Sequence, residues 1–303
     1  MVYIGYNRYC MKSHILDGNA IATKIRSEIK RDVELMVRDG LRAPHLHVIM
    51  IGSNTASETY VRLKLKDCSE VGITGSLSQL NDSVTMSEVI DLIDKVNADD
   101  QTDAAILQKP LPSHLDSDAI DFHLSPDKDV DGLHPVNLGL LLQGVPRFIP
   151  ATPAAVRELI VRSNINIDGE NIVIIGRSNL VGKPLALLLA QKNTRGNATV
   201  TIAHTGTKNL KEVTSNADII VAATGHPNTV TADMVRPGAV VIDVGVNRVD
   251  DLSRKQGYRL VGDVDFENVK MVTSAITPVP GGVGPITRAM LLKNTLNARE
   301  LKY

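Results

Sequence analysis

Three observations predict an α/β protein of two domains. Short apolar runs of the kind that form buried strands alternate with helix-periodic segments along most of the chain, the pattern of a parallel sheet covered by helices. At 303 residues the chain exceeds the usual size of one domain, and a hydrophobic content of 43% suffices for two cores. Between two such α/β stretches lies the proline-bearing segment "VPRFIPATPAAVRELI".

The elements follow in order. Asn19 to Asp39 reads as a helix, because Ile21, Ile25, Ile29, Val33 and Met36 recur at helical intervals and Gly40 follows as a stop. "HLHVIMIG" reads as a buried strand, followed by a helix that ends at Gly72. "SEVIDLIDKVN" is a further amphipathic helix and "DAAILQ" a further strand. Thr152 and Pro153 match an N-cap and a first-turn proline, opening a helix that links two domains. Beyond it, "NIVIIG", "ATVTIAH", "ADIIVAAT" and "AVVIDVG" read as strands, with helical segments after the first two. A final helix runs from about Pro285 to Leu301 and crosses back to the first domain. The expected division is therefore 1–152, 153–284 and a returning helix, 285–303.

Glu58 to Ile73, "ETYVRLKLKDCSEVGI", carries the first chemical signal. At about 100° per residue, with Tyr60 at zero, Val71, Lys64, Cys68, Val61 and Leu65 fall roughly at 20°, 40°, 80°, 100° and 140°. That arc is apolar except for Lys64 and the Tyr60 hydroxyl, while Arg62, Lys66 and Glu70 lie opposite. A lysine so placed either runs its carbon stem along the core and lifts its ammonium to water, or is held inside to handle protons with Tyr60 one turn away.

A second signal is "IVIIGRSNLVGKP". Gly176 follows an apolar strand and Gly182 leads into a helix, which lets backbone N–H groups and a helix N-terminus approach a phosphate. The middle glycine of the usual dinucleotide fingerprint is missing, and an ordinary tight turn would also satisfy the pattern. The next strand ends in His204 and Thr205, without the acid that an NAD site places on the ribose hydroxyls. A cation at Arg177 and a hydroxyl at Thr205 suit a 2′-phosphate, so NADP is the expected cofactor. A lone strand-end histidine such as His204 is more often structural.

Composition excludes other classes. Thirty-three basic residues against 34 acidic ones leave a formal charge of −1, which recommends neither nucleic acid nor an anionic membrane as partner. Cys10 and Cys68 are too few for a disulfide framework, and no metal-ligand spacing is present. No apolar run reaches the roughly 18 residues of a membrane span. The first sixteen residues hold Arg8 and Lys12 but no acid, as a short organellar presequence would, and Met11 is an alternative start. The cytosol is the expected compartment, with the mitochondrion as the alternative.

The chain resembles the bifunctional methylenetetrahydrofolate dehydrogenase/cyclohydrolase family. The resemblance runs over nearly the whole chain after Met11 and rests on "YVRLKLKDCSEVGI", "ILQKPLP", "PDKDVDGLHPVNLG", "GRSNLVGKP" and "TPVPGGVGPIT". It implies an N-terminal folate-binding α/β domain and a C-terminal Rossmann domain with a cleft between them, tetrahydrofolate derivatives as substrates, and a homodimer. It implies that Lys64 is the catalytic lysine, that Tyr60 shares its pocket, that Gln108 hydrogen-bonds it and that Asp131 holds the polar edge of the pterin. Val61, Arg62, Leu63, Leu107, Lys109 and the run Pro278, Val279, Pro280, Gly281 and Gly282 are implied as further substrate contacts. Gly176, Arg177, Ser178 and Thr205 match the NADP positions, with Val246 near the nicotinamide. Each has a plainer reading: Gln108 could satisfy a loop, Asp131 could cap the Asp-Gly turn, and the proline–glycine run could be a rigid connection. Lys109 stands where the family commonly has leucine, and either reaches toward the folate tail or turns to solvent.

The implied chemistry asks different things of the protein in its two steps. Oxidation of 5,10-methylenetetrahydrofolate by NADP+ leaves a cation stabilised by the adjacent nitrogen, so positioning suffices. Hydrolysis of the methenyl product to 10-formyltetrahydrofolate moves protons, and Lys64 is the candidate acid/base, since burial and a cationic substrate both disfavour the ammonium form. The competing readings are an NAD-preferring dehydrogenase with weak cyclohydrolase activity and a non-catalytic NADP or folate sensor, which would have no need of a proton-handling lysine.

Overall fold

A computed structural model describes residues 13–254 and 257–302; the expectations on Arg8, Cys10, Met11 and Lys12 lie outside the described residues. In chain order the elements are β1 (His14–Ile15), α1 (Gly18–Arg38), β2 (His45–Ile51), α2 (Thr55–Glu70), β3 (Thr74–Leu80), α3 (Met86–Ala98), β4 (Ala104–Gln108), α4 (Ser117–His123), α5 (Pro135–Leu142) and α6 (Ala151–Arg162). They continue with β5 (Asn171–Ile175), α7 (Gly182–Leu189), β6 (Thr199–Ala203), α8 (Leu210–Thr214), β7 (Ile219–Ala222), β8 (Val240–Asp243), β9 (Asn247–Asp250), β10 (Tyr258–Val261), α9 (Phe266–Val269), β11 (Ala275–Ile276) and α10 (Val283–Glu300). The chain forms two compact units, Asn19–Glu158 with the segment from Pro285 onward, and Leu159–Gly284 with the strand that ends before Gly18.

The first unit holds a three-stranded parallel sheet in the order β3-β2-β4. Strand β2 is a near-continuous apolar run because helices cover both its faces. Its partner β4 is buried along its whole length. The register pairs Met50 with Gln108 and so sets Gln108 at the carboxyl edge of the sheet. Helix α3 is started by a capping box, in which the Thr85 hydroxyl accepts from the Glu88 N–H at 3.3 Å and the Glu88 carboxylate accepts from the Thr85 N–H at 2.8 Å. Its Val89 and Ile93 pack with Ile49 and Leu107 in the core of this unit. Helix α10 belongs to the same unit, where Asn294 donates to the carbonyls of Val130 at 2.8 Å and Ile149 at 2.9 Å.

The second unit holds a six-stranded parallel sheet in the order β1-β11-β8-β7-β5-β6, with the antiparallel pair β9–β10 beside it in the chain. The chain leaves β5 for β6 on one side and returns to β7 on the other. The strand order therefore reverses at the carboxyl ends of β5 and β7, where open α/β sheets form ligand crevices.

Two local expectations differ from the structure. Helix α6 begins at Ala151, so Thr152 lies within its first turn and is not the cap; Pro153 is tolerated there because the first N–H groups of a helix have no intrahelical partner. Tyr60, expected on the buried arc of α2, is 50% exposed, whereas Val61, Cys68 and Val71 of that arc are buried. Within the helix exposure follows angle: Tyr60 at the edge of the arc is open to solvent, Lys64 beside it is half-buried, and Cys68 and Val61 at its centre are buried.

Candidate active site

Three elements of the first unit bring Lys64, Gln108 and Asp131 into one electrostatic neighbourhood. Helix α2 supplies Lys64. Asn54 accepts the Ser57 N–H at 3.2 Å ahead of it, and at its end Gly72 takes a positive φ while the Ile73 N–H bonds the Cys68 carbonyl at 3.0 Å. Cys68, one turn after Lys64, is fully buried, and burial pushes its thiol up to about 12, so it is inert packing.

Strand β4 supplies Gln108 from its last position. The Lys64 ammonium nitrogen Nζ donates to Gln108 Oε1 at 3.1 Å. Gln108 Nε2 donates in turn to the Lys109 carbonyl at 2.7 Å. An amide whose nitrogen is committed to a carbonyl must turn its oxygen the other way, so the backbone of Lys109 decides that Lys64 meets an acceptor. That acceptor is neutral. An amide orients the amine through one hydrogen bond and brings no charge of its own.

The loop 128–132 supplies Asp131. The Ala105 N–H of β4 bonds the Lys128 carbonyl at 2.7 Å, and Asn294 of α10 holds the Val130 carbonyl. The turn is closed by Asp129, not by Asp131: Gly132 N–H bonds the Asp129 carbonyl at 3.1 Å, and the Asp129 carboxylate accepts from His134 N–H at 2.8 Å and from the Asn137 amide at 2.9 Å. Gly132 has φ +70°, and a Cβ there would stand 3.0 Å from Pro150 N, so a side chain at this position would be strained. Asp131 is left without a hydrogen-bonded partner among the described residues. Burial pushes its carboxyl up, and the charge of Lys64 opposes that shift most strongly.

The remaining expected contacts of this unit are scattered. Leu107 is buried under the sheet edge, Leu63 is half-buried and Arg62 is exposed. Lys109, left open between the folate tail and solvent, forms an ion pair with Asp121 of α4. Sequence reasoning missed Asp121, Asp129, Asn137 and Asn294. Asp129 and Asn137 stand inside the quoted "PDKDVDGLHPVNLG", and only the fold separates the residue that closes the turn from the one it presents.

Gly176, Arg177, Ser178, Thr205 and Val246 all lie in the second unit, just beyond the carboxyl ends of β5, β6 and β8. Ile175 pairs with Ala203, so Arg177 and Thr205 each stand two residues past a register pair, and both side chains are exposed. Backbones approach closely here. A Cβ on Gly176 would sit 2.2 Å from the Ala223 carbonyl oxygen, at a φ of +138°, and one on Gly182 would sit 2.0 Å from the Gly176 oxygen. Ser178 Oγ accepts the Val181 N–H at 3.1 Å and so serves the entry to α7. His204 Nδ1 accepts from Gly206 N–H at 3.0 Å, a structural role. The glycine turn and the N-terminus of α7, with exposed Arg177 in the same turn, fit a phosphorylated dinucleotide. Pro278–Gly282 also belongs to this unit, where the Gly281 carbonyl accepts the Gly18 N–H at 2.9 Å.

The family profile described as "Tetrahydrofolate dehydrogenase/cyclohydrolase, catalytic domain" matches residues 16–131, and "Tetrahydrofolate dehydrogenase/cyclohydrolase, NAD(P)-binding domain" matches residues 150–303. "Bifunctional protein FolD" of Salinibacter ruber is 50% identical over 288 residues, covering 95% of this chain and 96% of that protein. The crystal structure of a bifunctional FolD methylenetetrahydrofolate dehydrogenase/cyclohydrolase from Campylobacter jejuni superposes with a TM-score of 0.90 at 42% identity, covering 96% of this chain and all of the other. A FolD from Trypanosoma brucei, solved with NADP cofactor and an inhibitor, gives a TM-score of 0.89 at 38% identity, covering 96% of this chain and 98% of that one.

Proposed function

This chain belongs to the tetrahydrofolate dehydrogenase/cyclohydrolase family, and we propose how its residues divide the family's two reactions. It is a bifunctional enzyme that oxidises 5,10-methylenetetrahydrofolate with NADP+ and hydrolyses the methenyl product to 10-formyltetrahydrofolate.

Lys64 is the acid/base of the hydrolytic step. Its amine takes a proton from the water that adds to the methenyl carbon and delivers one to the nitrogen released on ring opening. Gln108 holds that amine, and Asp131, unpartnered and raised by burial, receives the N–H edge of the pterin. The observation that carries this reading is the Lys64–Gln108 hydrogen bond with its orientation imposed by the Lys109 carbonyl. Tyr60, Val61, Arg62, Leu63 and Leu107 are the neighbouring folate contacts of this unit, and Lys109, tied to Asp121, borders them.

Gly176, Arg177, Ser178, Thr205 and Val246 would hold NADP+. When bound, it accepts the hydride from the one-carbon bridge. Arg177 and Thr205 supply a cation and a hydroxyl for the 2′-phosphate, and no carboxylate ends β6 to repel it. The chain is proposed to act as a homodimer in the cytosol; the single described cysteine, Cys68, is a free thiol, which suits a reducing compartment.

A coupled assay on methylenetetrahydrofolate, following NADPH and the methenyl intermediate separately, tests the reading. NADPH should form with no lasting accumulation of the intermediate, and NAD+ should be the poorer oxidant. Faster turnover with NAD+, or a persisting methenyl species, would favour an NAD-preferring dehydrogenase.

A further inference from the structure

Two buried acids of the second unit have no role in what precedes. Asp263 is fully buried and Asp243 is 3% exposed, and neither pairs with a lysine or arginine among the described residues. Their oxygens are served by N–H groups. Asp263 Oδ2 accepts from the N–H of Thr224 at 2.6 Å and of Gly225 at 2.9 Å, and its Oδ1 accepts from the Asn247 side-chain amide at 2.8 Å. Asp243 accepts from the N–H groups of Gly245, Asp263 and Val264, each at 3.0 Å. Burying a carboxylate without a cation is costly, and hydrogen bonds to fixed backbone donors are what make it tolerable.

The groups so tied are not arbitrary. Thr224 and Gly225 follow β7, Gly245 follows β8, and Asn247 opens β9 at the far end of that short loop. The first loop lies at the reversal of strand order, since Ala223 N–H bonds the Ile175 carbonyl at 2.8 Å and the Ala223 carbonyl faces Gly176. The two acids are seated without slack. A Cβ on Gly245 would fall 2.0 Å from Asp263 Oδ1, and one on Gly262 would fall 1.8 Å from Asp243 Oδ2.

We propose that Asp263, braced by Asp243, is a positioning residue for NADP+: it fixes the loops after β7 and β8 at the nucleotide edge of the sheet. It touches no substrate and acts through backbone. The inference rests on the assignment of that edge to NADP+, and its test separates the two.

The chain contains no tryptophan, so NADP+ binding is read by calorimetry on the full-length protein. Asp263→Asn removes the charge and replaces one of two acceptor oxygens by an NH2, so in either orientation a donor on one side meets a donor. It should weaken NADP+ about tenfold or more, as expected for losing charge-assisted bonds. Hydrolysis of methenyltetrahydrofolate without nucleotide should proceed at the wild-type rate. Unchanged NADP+ affinity, or equal loss of both activities, overturns the proposal. Should that variant fail to fold, Asn247→Ala, which removes one donor at a half-buried position, should weaken NADP+ about threefold or more; unchanged affinity there also overturns it. Arg177→Ala is the control. If it weakens NADP+ while Asp263→Asn does not, this inference alone fails; if neither variant does, the nucleotide edge itself is misassigned.

Discussion

The two units solve the problem of a site in opposite ways. In the first, the atoms proposed to act are on side chains: an amine from α2, an amide from the end of β4 and a carboxylate from the loop 128–132. Each is oriented by a neighbour's backbone or packing. In the second, the nucleotide edge is made mostly of backbone, with glycines where a Cβ would collide and buried carboxylates holding N–H groups in place. Proton transfer needs a titratable group at one point, whereas a phosphorylated dinucleotide is recognised along its length by fixed dipoles. Substitutions in the first unit should therefore change rates, and those in the second should change cofactor affinity.

Single substitutions separate the two units. The largest nucleotide effect is expected from Gly176→Ala, which meets the Ala223 carbonyl at 2.2 Å and carries a φ of +138° that side chains rarely adopt. At about 1–3 kcal/mol for the backbone conformation alone, NADP+ affinity should fall about 100-fold, read by calorimetry, while cyclohydrolase activity stays. Arg177→Ala should come next. Loss of a cation from a phosphate contact costs about 1.5–3 kcal/mol, so the Michaelis constant for NADP+ should rise tenfold or more and that for NAD+ should hardly move. An unchanged cofactor preference would remove Arg177 from the 2′-phosphate. The smallest effect belongs to Lys109→Leu. Its pair with Asp121 is partly exposed, and such pairs contribute about 0–1 kcal/mol. Folate Michaelis constants should shift by about threefold or less, and a large shift would make Lys109 a direct substrate contact.

What the chain declares of itself follows the same division. Apolar runs such as "HLHVIMIG" and "NIVIIG" announce β2 and β5, because strands covered on both faces have little freedom in composition. Strand β3, "TGSLSQL", is invisible by that rule: it is the edge of its sheet and only its pairing with β2 makes it a strand. The half-exposed Tyr60 shows the same limit, since helical angle predicts a face but not how wide a part of it a neighbour covers. Lys64 and Gln108 are legible as candidates, but the carbonyl that orients Gln108 is not. Asp243 and Asp263 read as ordinary strand-end acids; the only local hint is a glycine close to each, Gly245 and Gly262.

On the proposed division of labour, one amine, held by a neutral amide, carries the hydrolytic step and not the oxidation. Lys64→Met, with both rates measured on one preparation, tests it most directly. Hydrolysis should fall by about 100-fold or more, the usual size of a lost acid/base group, while measurable NADP+-dependent oxidation survives. Equal loss of the two activities, or hydrolysis at the wild-type rate, would remove Lys64 from the hydrolytic step.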